Sequence, residues 1–244
     1  MKKNVLFAFL LLISFCAFSQ EETTDEKKYG FSLSLNTDVF FGLYPVASGY
    51  YTLSDKVDFT FYGIMWSDIP NGAGGFGSWT EFGVGANIKA AGGKLGINPQ
   101  LGILSGTLLS KSNSPTLGEG IVPNLTANLA TDKAEGQLYF GYYLPLFSSN
   151  TVPSNVDRNS YTHYWLYSGY KFGFVSVGGH FEQLNQVTGG VEDGINLYTW
   201  LGPYVSFSLG NGGTLKFTGG GNISGDDNQA QHDGFYKMQY IYSF

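Results

Sequence analysis

The side chains best suited to catalysis are three histidines, His163, His180 and His232. In an extended strand His180 and Glu182 lie on the same face, and a histidine paired with a carboxylate can act as a general base. Such a base also needs a nucleophile beside it. Barrel-shaped lipid hydrolases place a serine two residues from the histidine, and none of the three histidines here is followed by a serine at that spacing. We therefore predict that the chain is not an enzyme and has no catalytic residues.

The composition argues against a metal site and against binding to nucleic acid. Cys16 is the single cysteine and lies close to the amino terminus, so neither a thiolate metal site nor a disulfide is expected. The acidic pairs Glu192-Asp193 and Asp226-Asp227 could bind calcium, but neither completes a calcium-loop motif, and solvated acidic loops are the favoured interpretation. The chain has 13 basic and 19 acidic side chains, a formal charge of −6, which opposes binding to nucleic acid. No metal or cofactor is predicted.

The amino terminus has the pattern of a secretory signal. A basic start precedes an apolar run over residues 5–18, and Ala17-Phe18-Ser19 forms a small-x-small cleavage site. We predict a signal peptide over 1–19, with cleavage near Ser19/Gln20. The charged residues 20–28 that follow are predicted to be a flexible periplasmic leader.

Composition and periodicity predict β-strands for the remainder. The chain has 35 glycines, 17% aromatic and only 13% charged residues, and after the signal no apolar run is long enough for a membrane-spanning helix. Apolar residues instead alternate with polar ones, as over residues 57–65, 95–103 and 195–209. A strand with one apolar and one polar face is what a transmembrane β-barrel requires, because its strands separate lipid from lumen.

The predicted fold is all-β, an antiparallel transmembrane β-barrel of about twelve strands over residues 29–244. Short turns alternate with longer polar segments, which is typical of periplasmic turns and extracellular loops, and an even strand count places both termini in the periplasm. Only the first outer loop, around Leu43 to Pro45, is predicted to be short. The candidate strands are 29–41, 46–54, 57–66, 79–90, 94–106, 121–130, 135–147, 161–171, 173–185, 195–209, 214–223 and 235–244.

The polar face of these strands supplies the candidate lumen. It is rich in amides and tyrosines and poor in arginine, since Arg158 is the only arginine, so selectivity for polyanions is disfavoured. Strand direction predicts that carboxylates lie near the outer end and that lysine–carboxylate pairs form near the inner end, which would give a weak preference for cations. The candidate lumen-lining residues are Asp38, Asp58, Tyr62, Glu81, Lys89, Gln100, Gln137, Tyr139, His180, Glu182, Tyr198, Lys216 and Lys237. Strand 161–171 carries aromatic residues on both faces, so its register is not fixed by the pattern.

The last strand has a signature of its own. Tyr240, Tyr242 and Phe244 share one face, and Phe244 ends the chain. A final strand that ends in phenylalanine resembles the signal by which the bacterial barrel-assembly machinery recognises its clients. The resemblance implies that this machinery is a partner and that the destination is the bacterial outer membrane.

Five segments resemble those of an uncharacterised family of small bacterial outer-membrane β-barrel proteins. They are DFTFYGIMW (58–66), GIVPNLTANL (120–129), HYWLYSGYK (163–171), WLGPYVSFSL (200–209) and FYKMQY (235–240). The likeness covers nearly the whole mature chain and implies the outer membrane, with its lipids and lipopolysaccharide as surroundings. It implies no activity, because the family has none assigned.

Three functions follow in order of preference. The first is a narrow, porin-like channel for small polar solutes, the second a structural or surface-binding barrel without transport, and the third a lipid-modifying enzyme. A continuous water path through the lumen would favour the first. A plug of Tyr62, Tyr139, Tyr198 and Trp200 would favour the second.

Overall fold

The computed structural model describes residues 28–66, 78–109, 115–146, 158–189, 194–224 and 233–244. These residues form a closed barrel of antiparallel strands, in which each strand pairs with its neighbours in sequence and β1 pairs with β12 to close the ring. The all-β prediction of about twelve strands is thereby confirmed. The strands are β1 (Tyr29–Asp38), β2 (Gly42–Ser54), β3 (Val57–Trp66), β4 (Trp79–Ala90), β5 (Leu95–Gly106), β6 (Thr116–Ala130), β7 (Ala134–Pro145), β8 (Ser160–Phe172), β9 (Val175–Thr188), β10 (Ile195–Gly210), β11 (Gly213–Asn222) and β12 (Gly234–Ser243).

The outer face of the barrel is a belt of exposed apolar side chains. Phe82 is 61% exposed and Leu166 50%, and their strand neighbours on the same face are also apolar. Such a contiguous apolar surface would aggregate in water and is stable against lipid tails. The surface therefore belongs to a barrel that spans a bilayer with its strands. Across the described ranges no helix is long and apolar enough to cross a membrane.

The two ends of the barrel differ, and we call them the turn end and the loop end. At the turn end the connections between strands are short, residues 55–56, 91–94, 131–133, 173–174 and 211–212. The loop end carries the connections β1–β2, β3–β4, β5–β6, β7–β8, β9–β10 and β11–β12. Strand β1 begins and β12 ends at the turn end, where the Phe244 amide donates to the Phe31 carbonyl over 2.9 Å. That the turn end faces the periplasm stays a prediction.

Two strands begin four or more residues earlier than the sequence predicts. Residues Leu43 to Pro45, expected as a loop, belong to β2, and the connection is 39–41. The turn is this tight because Asp38 caps it and Gly42 adopts a φ of 72°, which glycine tolerates. Strand β6 begins at Thr116 rather than near residue 121, because a register shift at Gly106 extends its pairing with β5.

Strand β8 has one register, which the structure resolves. Tyr161, His163 and Trp165 face the lumen, whereas Leu166 and Tyr170 face outward. Aromatic residues occur on both faces because one set packs inside the barrel and the other belongs to the outer belt. The predicted signal and leader lie almost wholly outside the described residues.

Candidate functional site

The lumen of the barrel is divided into an apolar half and a polar half. The half near the loop end is filled by large side chains that are almost completely buried, among them Leu104 at 0% and Trp200 at 1% exposure. We call this group the plug. Its buried members are Phe40, Tyr44, Trp66, Trp79, Leu104, Leu108, Leu109, Val122, Tyr143, Tyr161, Leu184, Leu197, Tyr198, Trp200 and Phe235, and the partly buried Phe41 packs against them and is counted with them.

The first part of the plug comes from the 39–41 turn. The Asp38 carboxylate accepts hydrogen bonds from the backbone amides of Phe40 (2.9 Å) and Phe41 (2.7 Å), and the Tyr44 hydroxyl donates to it over 3.2 Å. These bonds satisfy backbone donors that would otherwise be buried without partners. The capped turn directs both phenylalanines into the lumen.

The second part comes from residues 107–109. The Glu119 carboxylate accepts hydrogen bonds from the backbone amides of Leu108 (3.0 Å) and Leu109 (3.1 Å). On the other side, the Asn159 side chain donates to the Leu108 carbonyl over 3.1 Å. A buried carboxylate therefore holds this turn as Asp38 holds the first one.

Contacts between aromatic rings extend the plug across the lumen. Phe40 packs against Tyr198 of β10, with ring centroids 4.8 Å apart, and Phe41 packs against Trp66 of β3 at 4.4 Å. Tyr198 stacks on Trp200 at 3.9 Å, and Trp66 stacks on Trp79. A β-bulge at Asn196–Tyr198 allows both Leu197 and Tyr198 to be buried. A cavity of about 20 Å³ remains beside Phe41 and His163, room for about one water.

A charged cluster adjoins the plug, centred on Glu182. His163 Nε2 and His180 Nε2 each lie 2.9 Å from a Glu182 oxygen, the Tyr198 hydroxyl donates to it over 2.9 Å, and Lys237 forms an ion pair with it. Glu182 itself is fully buried. The carboxylate therefore has donors on both oxygens, and its histidines bond to Glu182 and Tyr198 rather than to a serine hydroxyl.

Another buried carboxylate, Glu81, forms a cluster with Tyr62 and Asn124. The Tyr62 hydroxyl donates to Glu81 Oε1 over 2.5 Å, and the Asn124 side-chain amide donates to the Tyr62 oxygen over 2.8 Å. Glu81 is 0% exposed. These three residues come from β3, β4 and β6.

The half of the lumen near the turn end is polar. Asp58 forms an ion pair with Lys89 over 2.7 Å, as expected for paired charges at this end. The ammonium of Lys216 lies 3.1 Å from the centroid of the Tyr167 ring, a cation–π contact. Gln137 accepts a hydrogen bond from the Trp165 indole over 2.7 Å.

All thirteen candidate lumen residues lie on the inner face of the barrel. The structure divides them between environments that the sequence does not distinguish. Tyr198 belongs to the plug, and Asp38 caps the plug turn. His180, Glu182 and Lys237 belong to the charged cluster. The remaining candidates, Asp58, Tyr62, Glu81, Lys89, Gln100, Gln137, Tyr139 and Lys216, form the wall below the plug. Their contact with a solute stays a prediction.

Three functional elements escaped the sequence prediction. His163 was absent from the candidates because the register of β8 was open. The phenylalanines of the 39–41 turn resemble a continuation of β1, although an aspartate two residues before Phe40 is a signal for a capped turn. Glu119 caps a turn ten residues away and gives no local signal. The acidic pairs at 192–193 and 226–227, and His232, lie outside the described residues.

Phe244 and its neighbours occupy the seam between the first and last strands. The Phe244 ring packs against Phe31 of β1 with centroids 5.7 Å apart, and Tyr242 packs against it at 4.9 Å. Tyr240 is 40% exposed on the outer belt. That Tyr240, Tyr242 and Phe244 serve as an assembly signal stays a prediction.

A closed antiparallel barrel with an apolar outer belt defines a porin-like transmembrane β-barrel. The chain belongs to DUF6733, a family of unknown function whose family model matches residues 1–244, and this confirms the resemblance to an uncharacterised barrel family. None of the curated proteins matches the sequence.

A porin and an outer-membrane channel are among the solved structures that share the fold. The NanC porin is 8% identical with a TM-score of 0.53, over 87% of this chain and 98% of the porin. An outer-membrane channel from Pseudomonas putida F1 is 11% identical with a TM-score of 0.55, over 93% of this chain and 98% of the channel. At such low identity these likenesses show the barrel architecture alone.

Proposed function

We propose that this protein is an outer-membrane, porin-like channel for small polar solutes that is closed at rest by its plug. In this proposal the turn end faces the periplasm and the loop end faces the outside. The proposal rests on where the plug residues that cross the lumen lie in the chain. Phe40, Phe41, Leu108 and Leu109 lie in the connections between β1 and β2 and between β5 and β6 rather than on the strands of the wall.

The turns can withdraw without breaking the barrel. Residues 39–41 and 107–109 lie outside the strands, and Asp38 and Glu119 hold their amides. Withdrawing two phenylalanines from the plug costs about 3 to 6 kcal/mol in lost burial. Each 1.4 kcal/mol is about a tenfold change in population, so the closed form predominates until a ligand or an outside partner favours the open one.

The wall below the plug supports a polar, largely uncharged solute. Tyr139 and Trp165 stack with ring centroids 3.9 Å apart, and Gln137 lies beside them with an amide that also donates to Asn128. Aromatic faces with neighbouring amides suit the apolar faces and hydroxyls of a sugar or nucleoside. The ion pair of Asp58 with Lys89 neutralises one carboxylate of this wall.

Liposome swelling with neutral sugars of increasing size tests the proposal. The variant Phe40→Ser/Phe41→Ser removes the bulk of one plug turn. Phe174→Ser is the matched control, because Phe174 is 68% exposed in a connection at the turn end. We expect the plug variant to admit small sugars that the wild type and the control admit slowly. A correctly folded plug variant that stays as impermeable as the wild type would overturn the proposal.

A second function is favoured by a different observation. Tyr198 and Trp200 are 0% and 1% exposed, and they stack on each other from β10, so part of the plug belongs to the wall itself. A plug containing these two residues matches the expectation for a barrel without transport, which would serve as a structural or surface-binding protein. Impermeability of the folded plug variant would support this second function.

A further inference from the structure

The cluster of Tyr62, Glu81 and Asn124 contains two buried oxygen atoms without hydrogen-bond partners. They are Glu81 Oε2 and Asn124 Oδ1. The other polar atoms of the cluster are engaged, because Glu81 Oε1 accepts from the Tyr62 hydroxyl, and Asn124 Nδ2 donates to that hydroxyl and to the Val122 carbonyl (3.3 Å). The amide bonds fix the orientation of Asn124, so its oxygen is the free atom.

Both free oxygens belong to side chains more than nine-tenths buried. Glu81 is 0% exposed and Asn124 is 7% exposed. A buried acceptor without a donor costs about 1 to 3 kcal/mol, and a buried carboxylate costs more. A single ligand that contacts both oxygens would remove this cost.

Glu81 differs from Asp58 and Glu182 in its charge balance. Asp58 has Lys89, and Glu182 has Lys237 and two histidines. No lysine, arginine or histidine among the described residues forms an ion pair with Glu81. A positively charged group that accepts electron pairs from oxygen would balance the Glu81 carboxylate and bind both free oxygens.

Two glycines next to the cluster leave room for the Tyr62 side chain. Tyr62, Gly83, Gly102 and Val122 are consecutive partners across β3 to β6. A Cβ at Gly83 would lie 2.2 Å from the Tyr62 ring, and one at Gly102 would lie 2.5 Å from the Tyr62 hydroxyl and 2.8 Å from Glu81 Oε1. The two glycines thus provide the space in which the tyrosine crosses two strands to reach Asn124.

We propose that this cluster binds a monovalent metal cation, Na⁺ or K⁺, with Glu81 Oε2 and Asn124 Oδ1 as ligands. Carboxylate and amide oxygens are hard ligands, which suit alkali and alkaline-earth cations rather than metals that select nitrogen or sulfur. A single carboxylate is neutralised by a single positive charge, whereas a divalent ion would leave an excess charge in a desolvated position. The site adjoins the plug, because Asn124 donates to the Val122 carbonyl, but its residues lie on strands rather than on the 39–41 turn that the proposed function moves.

The first test compares salts at equal ionic strength. The purified, detergent-folded barrel is heated in NaCl, KCl and choline chloride, and unfolding is followed by its shift in gel mobility. We expect a higher Tm in Na⁺ or K⁺ than in choline, with a rise that saturates as the metal cation is increased. Glu81→Gln should abolish this difference or weaken the apparent affinity at least tenfold. Asp58→Asn is the matched control and should keep the difference, because Asp58 already has Lys89.

A direct measurement covers the case in which Glu81→Gln does not fold. Wild-type crystals soaked in Tl⁺, a heavy stand-in for K⁺, should show an anomalous peak beside Glu81 Oε2 and Asn124 Oδ1. A peak there supports the proposal. No peak, no dependence of the Tm on the cation, or the same dependence in folded Glu81→Gln would overturn it and would indicate a proton shared between Glu81 and Asn124.

Discussion

The ring of Phe40 packs edge-on against the ring of Tyr198, with centroids 4.8 Å apart and an angle of 65° between their planes. Phe40 lies on the connection between β1 and β2, and Tyr198 lies on β10, three strands away around the ring. The contact therefore joins a turn to the wall through the interior of the barrel. It explains how a short connection at the loop end can close a lumen that is polar below.

Removal of the Asp38 carboxylate should show how much the cap of the 39–41 turn stabilises the barrel. Asp38→Ala leaves the amides of Phe40 and Phe41 without their acceptor, and we expect a loss of about 2 to 4 kcal/mol in unfolding free energy. The measurement is urea unfolding of the barrel in lipid vesicles. Asp55→Ala, at an exposed position in a tight turn at the other end, is the control and should change stability by less than about 0.5 kcal/mol. Equal effects of the two substitutions would show that Asp38 does not hold the turn.

The buried pair of Glu182 and Lys237 should show strong coupling in a double-mutant cycle. Lys237→Met removes an ammonium from a carboxylate that is fully buried, and the loss of one partner of such a pair costs about 3 kcal/mol or more. Glu182→Gln leaves the ammonium without its carboxylate. The double variant should lose less stability than the sum of the two single variants, by about 1 to 3 kcal/mol. Additive losses would mean that the two groups act independently.

Glycine at position 102 should be required for the packing of Tyr62. Gly102→Ala places a Cβ 2.5 Å from the Tyr62 hydroxyl, and we expect a loss of about 1 to 3 kcal/mol in unfolding free energy. Gly179→Ala in β9 is the matched control, since a Cβ there meets nothing within 4 Å. It should leave stability unchanged or raise it slightly. A neutral Gly102→Ala would mean that Tyr62 can adopt another position without cost.

The last residue should matter more for assembly in cells than for folding in vitro. Deletion of Phe244 removes the ring that packs against Phe31 at the seam between β1 and β12. We expect a marked fall in the amount of protein in outer-membrane fractions, with refolding into detergent largely retained. Phe174→Ala, an exposed phenylalanine near the turn end, provides the comparison. Normal membrane levels of the deletion variant would argue against an assembly signal.

Period-two patterning made the barrel and its inner face predictable from the sequence. Lipid on one side and lumen on the other impose the alternation on every strand, so residues such as Asp58 and Glu81 could be assigned to the interior. The plug could not be predicted in the same way. It depends on Glu119 holding amides ten and eleven residues away, and on Phe40 and Phe41 turning inward where the pattern predicts continued strand. The bulge at Leu197 breaks the alternation as well, and it buries two consecutive residues.

For a related reason, the period-two pattern could not predict that oxygens of Glu81 and Asn124 lack hydrogen-bond partners. The sequence places both residues in the lumen, but the absence of a cationic neighbour depends on contacts between strands far apart in sequence. The pattern places Asp58 and Glu81 on the same face, but Lys89, Thr52 and Asn87 reach the oxygens of Asp58, whereas Glu81 Oε2 has no partner.

Single-channel conductance in planar bilayers tests the central claim most directly. Wild-type protein, Phe40→Ser/Phe41→Ser and the control Phe174→Ser are compared in the same lipid and salt. The account predicts rare, small conductance steps for the wild type and the control, and frequent, larger steps for the plug variant. Equal conductance in all three, whether high or absent, in protein shown to be folded would contradict a lumen closed by the 39–41 turn.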